Sequence, residues 1–186
     1  VPDVNAYSSV IDASAKGGEW RRSLDLLEEM RSHDLKPNEN TYSSVINACA
    51  KSNVLRCALD LLEEMRTRNL VPRVIAYNSV IDACAKAGKR RCALDLLEEM
   101  RWRNFVPNDI TYASVIDACA KGGEWRRALD LLEEMRRYGL VPNEITYNSV
   151  ISACAKGDEW QRALNLLKEM RSRGLVPDQI TYNSVI

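Results

Sequence analysis

Rare residues recur along this chain at a fixed interval of 35 residues. All six prolines, all five methionines and six of the seven tyrosines keep this interval, without an insertion or a deletion. A period of this length is typical of a solenoid, in which each repeat buries its apolar face only against its neighbours. We therefore expect one array without a domain boundary. The prolines are Pro2, Pro37, Pro72, Pro107, Pro142 and Pro177.

Each repeat carries two apolar stripes with helical spacing. In the unit that begins at Glu144, the first stripe runs from Tyr147 to Cys154 with the spacing i, i+3, i+4, i+7, which predicts a helix that ends near Lys156. A second stripe predicts a second helix after Gly157. The apolar residues of this second stripe are Ala163, Leu164, Leu167 and Met170.

The ends of the second helix can also be predicted. We place Glu159 in its first turn, where an acid favours the helix dipole. Gly174 closes the helix, because it tolerates the left-handed backbone. Pro177 prevents the helix from continuing, and Asp178 can cap the first helix of the next unit. The equivalents of Gly174 are Asp34, Asn69, Asn104 and Gly139.

Composition excludes several classes of function. Lys plus Arg and Asp plus Glu each total 26, so a protein that binds nucleic acid by bulk charge alone is excluded, although a basic stripe on one face is not. No apolar run approaches the roughly 20 residues of a membrane span, so no membrane partner is expected. The single histidine, His33, argues against histidine-based metal sites and histidine-dependent catalysis.

The six cysteines fall into two registers of the repeat. Neither register contains a close-spaced pair such as C-x-x-C, so no metal site is predicted. Because residues repeated once per unit lie about one repeat apart, we interpret the cysteines as small buried residues in a reducing compartment. With no nucleophile–base pair either, we expect no enzyme, no cofactor and no small-molecule substrate. The registers are Cys49, Cys84, Cys119 and Cys154, and Cys57 and Cys92.

A different stripe on the first helix suits a single-stranded nucleic acid. Positions 2, 5, 9 and 13 of the last full unit are Ile145, Asn148, Ser152 and Lys156. This stripe is separate from the buried one, and stacking of units would line it up along one face. The apolar side chain can pack on a base, the amide can bond a base edge, and the ammonium can meet a phosphate.

A lysine stands at position 13 of every full unit, which accounts for five of the eight lysines. Two interpretations are compatible: a phosphate contact, and an ion pair with an acid four residues earlier, worth about 0.2–0.5 kcal/mol. Asp12, Asp82 and Asp117 supply such a partner, whereas Asn47 and Ser152 do not. The lysines are Lys16, Lys51, Lys86, Lys121 and Lys156.

The shared pattern P-[DN]-x-[IV]-T-Y-[NS]-S-V-I-x-A-C-A-K, followed by A-L-x-L-L-x-E-M and G-L-V-P, resembles the pentatricopeptide repeat. The resemblance covers the whole chain. Because all the repeats are 35 residues long, the chain resembles the pure-tract class of the family, in which the repeats have uniform length. It implies an all-α fold, a right-handed α-solenoid superhelix of antiparallel helix-hairpin repeats. The units are 4–38, 39–73, 74–108, 109–143 and 144–178, with partial units 1–3 and 179–186.

The resemblance also implies which residues select bases, namely the one after the Tyr and the one after the Pro. Ser43 with Arg73, and Ala113 with Asn143, depart from the readable combinations, and Asn183 begins the next pair. The implied RNA is 5′-A-n-Y-n-U-3′, where n marks an unreadable pair and Y a pyrimidine. The implied readings are adenine for Ser8 with Asn38, a pyrimidine for Asn78 with Asn108, and uracil for Asn148 with Asp178.

Position 2 packs against bases in the family, and here the first two units depart with Asn5 and Asn40. Asn or Asp after the Pro has an equally good structural explanation in helix capping, for which Arg73 is poorly suited. Capping does not explain the choice of Ser or Asn after the Tyr. The base-packing residues implied by the resemblance are Ile75, Ile110, Ile145 and Ile180.

Three functions remain open at this point. The first is binding of single-stranded RNA, about one nucleotide per repeat, in the mitochondrion or plastid that the resemblance implies, although no targeting peptide is visible. The second is a structural subunit of an organellar ribonucleoprotein such as a mitochondrial or plastid ribosome, with its other subunits as partners. The third is a protein-binding helical-repeat scaffold. Zero net charge, two unreadable pairs and Asn at two packing positions count in favour of the second.

Overall fold

The structure, a computed structural model, describes residues 3–185 apart from the side chain of Ile180. This part of the chain forms eleven helices and no strand, which confirms the predicted all-α fold of helix hairpins. The helices are α1 Val4–Lys16, α2 Trp20–Ser32, α3 Glu39–Lys51, α4 Leu55–Thr67, α5 Val74–Lys86, α6 Arg90–Trp102, α7 Asp109–Lys121, α8 Trp125–Arg137, α9 Glu144–Lys156, α10 Trp160–Ser172 and α11 Gln179–Asn183.

The chain divides into two compact units, Val1–Ala83 and Cys84–Ile186. In the first unit, α1 packs against α2 and α3, and α3 packs against α4. In the second unit, α7 packs against α8 and α9, and α9 packs against α10. The division of the sequence into five repeats stays a prediction. No helix in the described part is long and apolar enough to cross a lipid bilayer.

The first apolar stripe is buried as predicted, and Tyr147, Val150 and Ile151 are inaccessible to solvent. The second stripe differs in one residue, since Leu166 is buried while Leu164 is only half-buried. The buried set Ala163, Leu166, Leu167 and Met170 has the spacing i, i+3, i+4, i+7, so a straight helix places all four on one side.

The predicted helix ends are largely correct. Asp34, Asn69 and Asn104 have φ between 56° and 59°, and Gly139 and Gly174 share this left-handed backbone. The N–H of the following residue bonds back to the methionine carbonyl, as in Leu175 N to Met170 O at 3.1 Å, which closes a Schellman motif. The placement of Glu159 was wrong: it is the N-cap of α10, and its side chain makes no capping bond.

Consecutive hairpins in the second unit meet where Trp125 of α8 covers the end of α9. A Cβ added to Gly157 would lie 2.2 Å from Cδ1 and 2.7 Å from Nε1 of Trp125. The guanidinium groups of Arg126 and Arg162 lie 4.5 Å and 5.4 Å from the centroid of the Trp125 ring. The absence of a side chain at Gly157 therefore lets the indole pack against the backbone.

We expect Gly157→Ala to lower the free energy of unfolding by about 1–3 kcal/mol, because the new methyl group overpacks this contact. Gly17 is the matched control, since it occupies the same register and a Cβ there would meet only backbone oxygens, at 3.5 Å. Gly17→Ala should raise the stability by about 0.4–1 kcal/mol, through loss of unfolded-state entropy. Urea titrations of both variants measure the change in the free energy of unfolding, which should be negative for Gly157→Ala and positive for Gly17→Ala. Equal changes in the two variants would contradict the packing of Trp125 against Gly157.

Candidate nucleic-acid interface

The residues implied to select uracil form one hydrogen-bonded group in the second unit. Asp178 caps α11, accepting at Oδ1 from the backbone N of Thr181 at 2.8 Å. Its other oxygen, Oδ2, accepts from Nδ2 of Asn148 at 3.2 Å. The Thr181 hydroxyl lies 2.6 Å from Oδ1 of Asn148 and 2.8 Å from Oδ1 of Asp178. These contacts fix the plane of the Asn148 amide and leave it one N–H and one lone pair.

The first unit contains a related group. The hydroxyls of Ser8 and Thr41 lie 2.9 Å apart, and Oδ1 of Asn38 accepts from the Thr41 backbone N at 3.0 Å. In both places, a threonine links the residue after the Tyr of one unit to the residue after the next Pro. Sequence reasoning missed this role of the threonine, although a threonine recurs directly before the Tyr at Thr41, Thr111, Thr146 and Thr181.

The other residues implied to select bases are placed less uniformly. Asn143 caps α9 through Thr146, as Asn108 caps α7 through Thr111, so the capping explanation is correct for these positions. Ser43 donates to the backbone oxygen of Glu39 in its own helix at 2.6 Å. Ala113 and Ser43 are half-buried and Asn78 is buried, whereas the remaining four are exposed: Arg73, Asn143, Asp178 and Asn183.

Isoleucine side chains at position 2 are exposed, in contrast to the buried isoleucines of the same helices. Ile75, Ile110 and Ile145 are 64%, 56% and 66% accessible. Asn5 and Asn40, which replace isoleucine in the first two 35-residue repeats, are exposed as well. The side chain of Ile180 lies outside the described residues. An exposed branched apolar side chain, repeated at one position, offers a surface on which a flat base can pack.

All five lysines of the stripe are exposed. Lys16 pairs with Asp12 at 2.7 Å, and Lys121 pairs with Asp117 at 2.6 Å, as the interpretation of helix pairing predicts. Because exposed pairs of this kind contribute about 0.2–1 kcal/mol, they leave a lysine able to move to a phosphate. Within the described part of the chain, Lys156 makes no ion pair.

Two grooves bring these side chains together. In the second unit, a groove of about 410 Å³ is lined by Ile145, Asn148, Lys156 and Asp178, together with Lys121. In the first unit, a groove of about 500 Å³ is lined mainly by serines and asparagines, including the pair Ser8 and Asn38. Both volumes fall in the range of about 300–1,000 Å³ typical of ligand sites. The groove of the second unit therefore combines an apolar side chain, an amide and a cation.

A recurrent cluster of one Arg, one Tyr and one Glu joins neighbouring hairpins within each unit. Arg136 of α8 donates to the hydroxyl of Tyr147 at 3.1 Å and pairs with Glu169 at 2.7 Å. Tyr147 also donates to Glu169, at 3.0 Å. The same three contacts join Arg31, Tyr42 and Glu64 in the first unit. Arg101, Tyr112 and Glu134 form a further copy in the second unit.

The two adjacent glutamates of α8 differ in exposure. The side chain of Glu133 is 58% accessible, whereas that of Glu134, which belongs to a cluster, is 21% accessible. Burial raises the pKa of Glu169, but hydrogen bonds from Tyr147 and Arg173 and the charge of Arg136 outweigh it and hold the pKa below its usual range. The Glu169 carboxylate is therefore ionised at neutral pH.

We expect stability to fall as the pH rises above about 9. Burial raises the pKa of the Cys119 and Cys154 thiols to about 11, and that of Tyr112 to about 12. Because the unfolded chain releases these protons at lower pH than the folded chain, each group costs up to about 1.4 kcal/mol per pH unit between its two pKa values.

Urea titrations between about pH 8 and 11 measure this slope. The variant with Cys119→Ala and Cys154→Ala is the control, and its slope should be shallower than that of the wild type. An unchanged free energy of unfolding across this range would contradict the assignment of buried, protonated thiols.

Comparison with known proteins agrees with this repeat architecture. The PPR repeat family model matches residues 2–51, 72–121, 114–156 and 142–186, and the PPR repeat model matches residues 40–70. These matches cover most of the chain. The chain therefore belongs to the PPR repeat family, the helical-hairpin repeat proteins whose pattern it resembles. No curated protein sequence matches it.

Solved structures of PPR proteins superpose closely on the chain. PPR10 from maize matches with a TM-score of 0.69 and 33% identity over the whole chain, which covers 26% of PPR10. PPR10 in complex with an 18-nt psaJ RNA element matches with a TM-score of 0.81 and 28% identity over 99% of the chain, which covers 27% of PPR10.

The PPR domain of Arabidopsis thaliana protein-only RNase P 1, solved in complex with tRNA, has a TM-score of 0.84 at 16% identity. That match covers 95% of the chain and 93% of the domain, and at this identity it shows the fold alone. The chain thus spans about a quarter of PPR10 and nearly the whole of this domain.

Proposed function

We propose that this chain binds single-stranded RNA through the stripe at positions 2, 5 and 13, with about one nucleotide per repeat. The observation that supports this most is the groove of the second unit, where Ile145, Asn148, Lys156 and Asp178 line one space. An apolar contact, a base-edge amide and a cation are the three kinds of group that single-stranded nucleic acid recognition uses. The crystallised PPR10 complex with RNA supports the same ligand.

The charge distribution suits a single strand with exposed bases better than a rigid duplex. With a formal net charge of zero, the chain has little long-range attraction for nucleic acid. Affinity must come from short contacts made once per repeat, to a base and to its phosphate. A duplex hides its base edges from such contacts, because its bases are paired and stacked.

Base selection in the last full unit would depend on the fixed amide of Asn148. The Asp178 carboxylate accepts one N–H of this amide, and the Thr181 hydroxyl engages its oxygen. The remaining N–H and lone pair point to a base edge that offers one acceptor and one donor, and uracil offers both at O4 or O2 and N3–H. Replacing the carboxylate by an amide loses the acceptor that orients Asn148.

Asp178→Asn is therefore expected to reduce the preference for uracil over cytosine about tenfold, which corresponds to about 1.4 kcal/mol. The helix cap should survive, since Asn143 caps α9 by the same bond to Thr146. Competition binding with RNAs that differ only at this nucleotide measures the ratio. The last two units should be grafted into a tight-binding array for this test, so that a tenfold change at one nucleotide is measurable.

Asn143→Asp in the same graft is the matched control. It introduces a carboxylate after the Pro, but its partner position holds Ala113, which has no amide to orient. Base preference at that position should not change. If Asp178→Asn also leaves base preference unchanged, the pair does not select a base in this chain, and a structural role in a ribonucleoprotein explains the repeats better.

We further propose that the chain acts by binding and not by catalysis, in the RNA metabolism of a mitochondrion or plastid. The uniform repeat pattern of the whole sequence supports the first part, and the family supports the second. Other subunits of a ribonucleoprotein are the alternative partners. Expression of a full-length protein fused to a fluorescent reporter would test the compartment, and a nuclear or cytosolic signal alone would contradict it.

A further inference from the structure

Two pairs of cysteines lie in contact inside helix hairpins. The thiol of Cys49, near the end of α3, donates to Sγ of Cys57, in the first turn of α4, at 3.3 Å. Cys84 of α5 donates to Sγ of Cys92 of α6 in the same way at 3.1 Å. The sequence analysis considered each register by itself and missed that the two registers meet within one hairpin.

Each pair has an inner and an outer sulfur. Cys49 and Cys84 are fully buried, whereas Cys57 and Cys92 are only partly buried. Cys92 also lines a surface cavity with Lys89, Arg90 and Arg91. A small neutral reagent can therefore reach Cys92, and a negative charge that forms there lies among cations and the N–H groups of the first turn of α6.

We propose that Cys49 with Cys57, and Cys84 with Cys92, are two oxidation sites at which a peroxide converts the thiol pair to a disulfide within the hairpin. The outer thiol first attacks one peroxide oxygen, so that the O–O bond breaks, a sulfenic acid forms and one water leaves. The inner sulfur then attacks the sulfenic sulfur, gives up its proton and displaces a second water. Two thiols and one hydrogen peroxide thus yield one disulfide and two waters.

The geometry suits the second step. The two sulfurs of each pair need to approach by only about 1 Å to reach the roughly 2.05 Å of a disulfide bond. Burial, with the contact from Cys57, raises the pKa of the Cys49 thiol to about 12, and the contact with Cys92, with burial, raises that of Cys84. The inner thiols are therefore protonated in the reduced pair, and each gives up its proton as its sulfur attacks the oxidised outer sulfur.

The other hairpins supply an internal comparison. Cys119 and Cys154 occupy the same register as Cys49 and are equally buried. The register of Cys57 holds Arg127 and Arg162 in those hairpins. They therefore contain an inner thiol without an outer one. The cross-link is confined to two hairpins, where it would join the first and second helices beside Lys51 and Lys86 of the stripe.

The test treats the folded full chain with hydrogen peroxide, removes the peroxide with catalase, and alkylates the denatured chain with iodoacetamide for peptide mass spectrometry. We expect Cys49, Cys57, Cys84 and Cys92 to lose alkylation and to appear in two disulfide-linked peptides, each within one hairpin. Cys119 and Cys154 should stay alkylated. Dithiothreitol should restore all four thiols.

A variant with Cys57→Ala and Cys92→Ala is the control, and its Cys49 and Cys84 should remain alkylated after the same dose. A second measurement uses the wild-type chain and does not depend on this variant. Phenylarsine oxide bridges two adjacent thiols, so it should protect the same four cysteines from alkylation by iodoacetamide. Full alkylation of all six cysteines, at a dose that oxidises free glutathione, would overturn the proposal. Disulfides that mainly involve Cys119 or Cys154, or that join two chains, would overturn it as well.

Discussion

Replacing the five lysines of the stripe by alanine is expected to weaken binding of single-stranded RNA about a thousandfold. Each lysine–phosphate contact is expected to contribute about 0.8 kcal/mol to binding, near the upper end for an exposed ion pair. Five such contacts contribute about 4 kcal/mol, which corresponds to about a thousandfold in Kd. Since each lysine is taken to neutralise one phosphate, the slope of log K against log salt should become shallower by up to about 3.5. The variant carries Lys16→Ala, Lys51→Ala, Lys86→Ala, Lys121→Ala and Lys156→Ala.

A control variant must remove the same charge from other surfaces. Lys36, Lys89 and Lys168, with Arg91 and Arg137, are exposed residues outside the stripe, and their replacement by alanine also removes five positive charges. This control should lose less than tenfold in affinity and keep most of the salt slope. Fluorescence anisotropy at several salt concentrations measures both quantities. Equal losses in the two variants would mean that net charge, not the stripe, binds the RNA.

Arg136→Met is expected to destabilise the chain, because it removes one member of the cluster with Tyr147 and Glu169. The Arg136 side chain is 19% accessible, and its loss removes the hydrogen bond to the Tyr147 hydroxyl. It also leaves Glu169 with the more exposed Arg173 as its cation. Hydrogen bonds to charged groups contribute about 1.5–3 kcal/mol, so we expect a loss of about 2 kcal/mol and a fall in Tm of about 4–8 °C. Because a repeat array is held together by contacts between neighbours, the unfolding transition should also broaden.

The matched control for this variant is Arg137→Met, one residue further along α8. Its side chain is exposed, so we expect a change within about 0.5 kcal/mol. The double variant Arg136→Met with Glu169→Gln should recover part of the loss, because the carboxylate that has lost its less exposed cationic partner is then neutral. Thermal and urea unfolding of the wild type, of Arg136→Met and Glu169→Gln as single variants, and of the double variant gives the coupling energy. If the losses simply add, Arg136 and Glu169 do not form a working pair.

The parts of the fold that depend on local chemistry could be predicted from the sequence. The helix ends follow from single residues, such as the left-handed backbone at Asn69 or the cap at Asp178, and the buried stripe follows from the spacing around Tyr147. Such features need only the preferences of one residue and the periodicity of one helix. The exposure of Ile145 and Lys156 on a separate stripe could be predicted for the same reason.

Contacts between helices could not be predicted in this way. Arg136, Tyr147 and Glu169 belong to three helices, and a period of 35 shows that such a cluster recurs without showing which residues meet. The same holds for Cys49 and Cys57, which face each other only because of the angle and offset of two packed helices. The link from Asn148 through Thr181 to Asp178 also joins two neighbouring units. Relative helix placement, not residue preference, decides these contacts.

Recognition of unpaired bases by the stripe can be tested by titrating the chain with one labelled RNA in two forms. Fluorescence anisotropy at low salt should compare an RNA containing 5′-A-n-Y-n-U-3′ as a single strand and annealed to its complement. We expect binding of the single strand to be at least about tenfold tighter, since the duplex offers phosphates to the lysines but hides its base edges. Equal affinity for the single strand and the duplex, or no binding of either at low salt, would contradict recognition of unpaired bases by the stripe.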